Sequence, residues 1–267
     1  MSRRPRRPQR ASALPPLTGS RLIEALIAGW RPLQRLDVGG FAVLRSRGIT
    51  RRAHSIVALD PDPEQPAAAL EQVESLLARA GERPVHRIFE HEPSASLDVL
   101  LAARGDEAVG HSEILELPLT TTAPPSGAAL VATGALDADW FAQAWALAPR
   151  EGEHARDTLR DILAGTPALQ VRIPAADGTA AAVGRAALVS AGREQLAVLN
   201  MIAVAPQQRR QGLGRELSGT LLALAAAQGA GRALLEVERD NAPALSLYRA
   251  LGSRRIGGYH YRARRED

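Results

Sequence analysis

Val204-Ala-Pro-Gln-Gln-Arg-Arg-Gln-Gly-Leu-Gly214 is the stretch from which the rest of this 267-residue chain can be read. Before it runs the apolar segment Leu196-Ala-Val-Leu199, Asn200 and then Met201-Ile-Ala203, a strand pattern. After it Leu213, Leu217, Leu221 and Leu224 fall on one stripe, which predicts a helix over 213–227 ended by Gly229 and Gly231. A strand, a glycine loop and a helix start in that order form a phosphate cradle. Gly212 and Gly214 admit a bulky anion without Cβ interference, and the first helical turn offers unpaired N–H groups at the positive end of the helix dipole. Arg209 and Arg210 add charge-assisted donors suited to a pyrophosphate.

Working outward, extended segments are predicted over 168–173, 180–190 and 194–204, with turns at Asp177-Gly178 and Ala191-Gly192. A strand over 129–133 and helices over 137–146 and 154–164 precede them. A strand over 233–238, a helix over 243–251 and a final strand over 256–262 follow. The order is mixed α/β: an antiparallel meander, then a strand-helix-strand crossover. In the last strand Tyr259 and Tyr261 share one face and His260 and Arg262 the other.

The cradle resembles the acyl-CoA motif of GNAT-family acetyltransferases, Arg/Gln-x-x-Gly-x-Gly/Ala, through Arg209, Gly212 and Gly214, with Val204-x-Pro206 before it. Downstream, residues 235–252 resemble the same family's strand and helix with Asn-x-x-Ala and Leu-Tyr-x-x-Leu-Gly. The resemblance implies acetyl-CoA as cofactor and direct acetyl transfer to a primary amine. It implies that Ile202, Ala203 and Val204 pair with the pantetheine amides, and that Arg209, Arg210, Gln211, Gly212, Leu213, Gly214 and Arg215 hold the pyrophosphate. Asn241 and Ala244 lie along the pantetheine arm, and Tyr248 is the general acid that protonates the leaving thiolate. Two departures stand out. The family's Gly-Phe is Gly252-Ser253 here, and the general base often found on the strand before the cradle is replaced by apolar residues and Asn200. Asn200 is therefore expected to hold a relay water, with Glu236 and Glu238 on the next strand as other candidates.

The chain falls into an Arg/Pro-rich leader (1–19), a first body (20–119), a linker (120–127) and the motif-bearing body (128–267). In the first body a helix is predicted over 21–28, strands over 41–45 and 53–58, a helix over 64–80, a strand over 85–89, a helix over 96–103 and a strand over 108–117. That order suits a degenerate second GNAT-like copy lacking the cradle. Gly39-Gly-Phe-Ala-Val-Leu-Arg45 and Thr50-Arg-Arg-Ala-His-Ser-Ile-Val57 resemble the N-terminal half of two-lobed actinobacterial GNAT proteins, some labelled N-acetylglutamate synthases. The resemblance implies an amino acid or a derivative as acceptor. Acceptors of a mycothiol-type precursor, aminoglycoside or protein N-terminus stay open, as does a non-catalytic acyl-CoA-binding regulator. Arg45, Arg51, Arg52 and His54 are candidates for a substrate carboxylate.

Composition narrows the partners. All 33 basic residues are Arg, and five lie in the leader, which leaves the other 248 residues at −1 despite a net charge of +4. With 3% aromatic residues and no recurring basic stripe, nucleic acid is not expected. The absence of Cys excludes disulfides and thiolate chemistry and points to a reducing cytoplasm. No apolar run has membrane-span length, the scattered His predict no metal, and a monomer or homodimer is expected.

Overall fold

The computed structural model describes residues 15–60, 66–119 and 129–264. The segment read as a linker, 120–127, lies outside them, as do residues 1–14 of the leader. The first body contains α1 (Gly19–Gly29), β1 (Gln34–Val38), β2 (Phe41–Arg45), a 3-10 turn (Arg51–Ala53), β3 (Ser55–Ala58), α2 (Pro66–Arg79), β4 (Val85–Phe89), α3 (Glu92–Ala103) and β5 (Glu107–Pro118). The second contains β6 (Leu130–Gly134), α4 (Ala138–Leu147), α5 (Ala155–Ala164), β7 (Ala168–Pro174), β8 (Ala180–Ala191), β9 (Glu194–Val204), a 3-10 turn (Pro206–Gln208), α6 (Leu213–Ala227), β10 (Arg232–Glu238), α7 (Ala242–Ala250) and β11 (Arg254–Ala263). The α6 bounds are those predicted. Strand β1 was not predicted, because its sequence QRLDV is almost all exposed and carries no apolar alternation.

Among the described residues eleven strands form one sheet in the order β1-β2-β3-β4-β11-β5-β10-β9-β8-β7-β6. The predicted meander is β6 to β9, all antiparallel, followed by the parallel crossover β9-α6-β10. The sequence halves exchange strands. β11 is hydrogen-bonded between β4 and β5, and β5 pairs with β10.

Alternation along the central strands separates two cores, as the period of two requires. Ala197, Leu199, Leu235 and Val237 face α6 and α7, where they meet Leu217, Leu221 and Tyr248. Leu196, Val198 and Leu234 face the other way, onto Leu22, Ile23 and Leu26 of α1. Helix α1, first in the first body, therefore covers strands of the second. The last residues of the assumed leader are also part of the body: Leu17 is buried, and Pro15 O accepts a bond of 2.8 Å from Arg232.

Buried charges fasten this interleaving. Arg232 on β10 reaches Glu116 on β5 at 2.5 Å and Glu194 on β9 at 2.6 Å, and Arg254 on β11 donates to Glu116 at 2.6 Å. Removing one partner would leave an uncompensated buried charge, which costs far more than an exposed pair contributes. Where α1 ends, Gly29 lies so close to β9 that a Cβ would sit 2.4 Å from Val198 Cβ. Gly29→Ala is expected to destabilise the fold by about 1–3 kcal/mol through overpacking, lowering the melting temperature by several degrees in a thermal scan; an unchanged melting temperature would show that α1 is not pressed onto β9.

Candidate active site

Strands β9 and β10 run parallel from Leu196↔Arg232 to Leu199↔Leu235 and then part, although β9 continues to Val204 and β10 to Glu238. The cause lies on the other side of β9. The β8/β9 register slips between Val183↔Ala203 and Arg185↔Asn200, so Met201 and Ile202 oppose Gly184 alone. Met201 has φ 53°, the left-handed region. An extra residue bends its strand, and Gly184 is required opposite it, since a Cβ there would come within 2.7 Å of Ile202 Cδ1 and 2.8 Å of Leu221 Cδ1. The gap that opens is a cleft of about 710 Å³. Backbone groups of residues 201–204 that face β10 have no ladder partner there.

At one end of the cleft α6 begins. Gly212 has φ +83° and no atom near its missing side chain, and Gly214 sits with Leu247 Cδ2 and Val204 Cγ2 at 3.4 and 3.8 Å from where a Cβ would be. The Arg215 and Glu216 amides bond back to Gly212 O at 3.0 Å, whereas among the described residues the amides of 211–214 have no such acceptor. Arg209, Arg210 and Arg215 are exposed around this turn; Arg209 Nε donates to Val204 O at 3.4 Å and Gln211 Nε2 to Gln207 O at 3.4 Å. Leu213 is half-buried against the α6 core.

Asn241 and Ala244 line the cleft and also explain each other's spacing. Asn241 is the N-cap of α7, its Oδ1 accepting the Ala244 amide at 3.1 Å. Tyr248, one turn on, is 3% exposed and lines the same cleft; burial pushes its phenol above the usual range, opposed by the Ser218 hydroxyl. A phenol kept neutral in this way is a proton donor rather than an anion.

Asn200 also borders the cleft, but its amide is engaged elsewhere. Nδ2 donates to Gly29 O and Val198 O, each at 3.2 Å, and Oδ1 accepts from Arg185 Nη1 at 3.3 Å. Arg185 is a buried cation with its guanidinium on Leu163 O and Thr166 O at 2.8 and 2.7 Å; desolvation pushes its pKa down to about 10. The pair ties β8, β9 and the ends of α1 and α5 together beside the bulge. The sequence gives no hint of this, because Arg185 lies in an apolar strand with no acidic partner.

The other face of the fork is built by both bodies. Arg51, Arg52, Gly110 and Ser112 line it with Arg150, Tyr259 and Tyr261. Arg52 stacks on Trp30 at 4.5 Å and donates to Glu236 at 3.3 Å; Glu236 is also paired to Arg87, whose guanidinium lies 3.9 Å over the Tyr259 ring. Gly110, at φ +62°, gives room to Tyr261 and Arg51. Of the predicted carboxylate set only Arg51 and Arg52 are brought here. Arg45 is held by Glu82 at 2.7 and 2.8 Å, and His54 Nδ1 accepts the Ser46 and Gly48 amides at 3.0 and 3.3 Å, with burial holding its pKa below the ordinary range. Neither lines the cleft. Arg150, Arg87 and Ser112 were not singled out from sequence, since each lies in a segment without a motif.

A parted parallel strand pair, a glycine turn capping a helix and a buried tyrosine beneath the fork define the GNAT acetyltransferase fold. Solved structures agree: a GCN5-related N-acetyltransferase from Kribbella flavida superposes with TM-score 0.66 at 20% identity, covering 93% of this chain and 96% of that one. A tandem GNAT protein from the clavulanic acid biosynthesis pathway gives 0.61 at 15%, covering 80% and 76%. The chain belongs to the family described as probable histone acetyltransferase Rv0428c, C-terminal, whose model matches residues 20–264. A mycothiol acetyltransferase of Clavibacter michiganensis subsp. michiganensis is 32% identical over 209 residues, 72% of this chain and 66% of that protein. The uncharacterized protein ML0378 of Mycobacterium leprae is 48% identical over 59 residues, 22% and 16%. The chain thus spans just under two thirds of the first relative's length and a sixth of the second's.

The residues present fit acetyl-CoA, the cofactor of this fold: free amides and arginines for the pyrophosphate, a strand edge for the pantetheine amides and a proton donor at the fork. Gly212→Asp places a carboxylate and a strained φ in the cradle, and is expected to weaken acetyl-CoA binding by more than tenfold in calorimetry. Unchanged affinity would remove the cradle from the cofactor site.

Proposed function

We propose that this protein transfers the acetyl group of acetyl-CoA directly to the primary amine of a small molecule, an amino acid or a derivative of one. The observation that carries this reading is the division of the fork into two faces. Tyr248 sits beneath it on the α6/α7 side, while Arg51, Arg52 and Arg150 line the opposite side. A guanidinium presents a planar fork matched to carboxylate. Among the described residues Arg150 bonds only to its neighbours Ala148 O and Pro149 O, and burial with the nearby charge of Arg52 depresses its pKa. A cation in that setting gains from an incoming anion.

Acetyl-CoA supplies the activated thioester. The residues 211–214 amides with Arg209, Arg210 and Arg215 hold the pyrophosphate, the free edge of Ile202, Ala203 and Val204 orients the pantetheine arm, and Tyr248 keeps a proton at its hydroxyl for the departing sulfur. Asn200 fixes β9 beside its bulge through Arg185 and Gly29. The cradle and acid come from the second body, and the acceptor walls combine Arg51, Arg52, Gly110 and Ser112 of the first with Arg150, Tyr259 and Tyr261 of the second.

A second reading keeps the chemistry and changes the acceptor. The relative at 32% identity is a mycothiol acetyltransferase, which supports a mycothiol-type precursor amine. A panel of free amino acids, a cysteinyl amino sugar, short peptides and aminoglycosides, followed by thiol release, separates these. Turnover of a carboxylate-bearing amine is expected. Tyr248→Phe is expected to lower kcat by about 10²–10⁴-fold with acetyl-CoA affinity kept. Tight binding of acetyl-CoA without turnover of any amine would replace this reading with a non-catalytic acyl-CoA-binding regulator.

A further inference from the structure

Arg185 is buried on β8, and no step derived above uses it. Its guanidinium donates to Leu163 O and Thr166 O at 2.8 and 2.7 Å, and to Gly29 O and Asn200 Oδ1 at 3.3 Å each. Three of these acceptors are backbone carbonyls at or just past the C-terminal ends of α1 and α5, where the helix dipoles are negative. Thr166 Oγ1 donates to Ala28 O at 2.6 Å and joins the two helix ends directly. Among the described residues no carboxylate pairs with Arg185. A buried charge contributes little stability that an apolar side chain of its size does not. What this one contributes is position: carbonyls outside the sheet and an amide on β9 are held to one point of β8.

That point decides the register. Arg185 and Asn200 are the last opposed pair before the bulge. Up to it the odd-numbered residues of β9, Ala197 and Leu199, face α6; past it the even-numbered Ile202 and Val204 do, while Met201 and Ala203 turn to Trp30, α4 and α5. The bulge thus reverses the alternation of the strand. Sliding β9 by one residue against β8 would erase the bulge and carry Ile202 and Val204 to the opposite face. It would also lay β9 back along β10, since the two strands run on to Val204 and Glu238. Met201, at φ 53°, would be relieved of its strain by the slide. The open register therefore needs a restraint from outside the strand pair.

We infer that Arg185 is a positioning residue for the cofactor: by holding Asn200 to the ends of α1 and α5 it fixes the register of β9 and keeps the edge of Ile202, Ala203 and Val204 open for the pantetheine amides. The link to the cofactor rests on the acetyltransferase reading above; the register does not. Arg185 does not line the cleft and acts only through β9.

The test compares wild type with Arg185→Met and Asn200→Ala, measuring acetyl-CoA affinity by calorimetry and hydrogen–deuterium exchange of the amides of residues 201–204. Arg185→Met keeps the apolar stem and removes the donors. It is expected to weaken acetyl-CoA binding by about tenfold, the worth of one or two pantetheine hydrogen bonds, and to slow exchange at 201–204 as those amides find partners on β10. Asn200→Ala removes the β9 half of the pair and is expected to shift both readouts in the same direction by less. A purely structural support leaves the opposite signature, faster exchange throughout the sheet as local opening becomes easier. Affinity kept within about twofold, a change too small for a lost hydrogen bond, overturns the assignment. So does a loss of affinity with exchange at 201–204 unchanged or faster. Should Arg185→Met fail to fold, Asn200→Ala decides by the same two readouts. If wild type binds no acetyl-CoA, the acetyltransferase reading falls and the cofactor role with it, and exchange alone then decides the register.

Discussion

Strand β9 carries one residue more than β8 between Asn200 and Ala203, and most of the active end follows from that surplus. Two backbones in register stay in register; an inserted residue bends one of them and forces it off its other neighbour. The bend needs Met201 in a left-handed conformation and Gly184 opposite without a side chain. Such a conformation costs of order 1–3 kcal/mol for a residue with a Cβ, and the surroundings hold it in place. Arg185, Asn200 and Gly29 O lock the strand just before the bulge, and Ile202 packs over Gly184 just after it. The cleft is thus the open half of a parallel pair whose closed half is among the most buried parts of the sheet.

The second constraint is electrostatic. The molecule buries several arginines in three different settings. Arg232 is surrounded by carboxylates from neighbouring strands and serves as a rivet. Arg185 has only carbonyl oxygens and one amide, the negative ends of helices and turns, and its pKa falls accordingly. Arg87 and Arg52 share a single carboxylate, Glu236. A rivet is saturated, whereas two cations on one anion leave charge unspent, and that imbalance lies at the cleft.

Much of this was legible in the chain. The strand, cradle and helix of 194–227 could be read because glycine, arginine and leucine fall at spacings that only one local structure satisfies, and the crossover came with it. That Tyr248 borders the cleft was legible through its motif. The exposed strand β1 was not, since a sheet edge facing water has no apolar period to show. Nor was the side of the cleft lined by Arg51, Arg52 and Arg150. Arg45 at the end of β2 and Arg52 in the 3-10 turn that follows lie in similar Arg-rich sequence, yet Glu82, 37 residues along the chain from Arg45, captures one, and Trp30 and Glu236 the other. Which carboxylate claims which guanidinium is decided by sheet order, and local sequence does not encode that β11 enters between β4 and β5.

That entry governs how the molecule can be made. Tyr259 pairs with Phe89 and also with Ser112, positions some 170 and 147 residues earlier. Until β11 has left the ribosome, β4 and β5 have no strand to join them, and the first body waits with two open edges of the kind that invite mispairing. Pairings this distant are slow to form, because chain closure precedes any reward from contact. Assembly of that side of the cleft, with Arg87 on Tyr259, therefore waits for β11. A chain cut between α7 and Arg254 would retain its cradle residues and still lack the strand that joins β4 to β5.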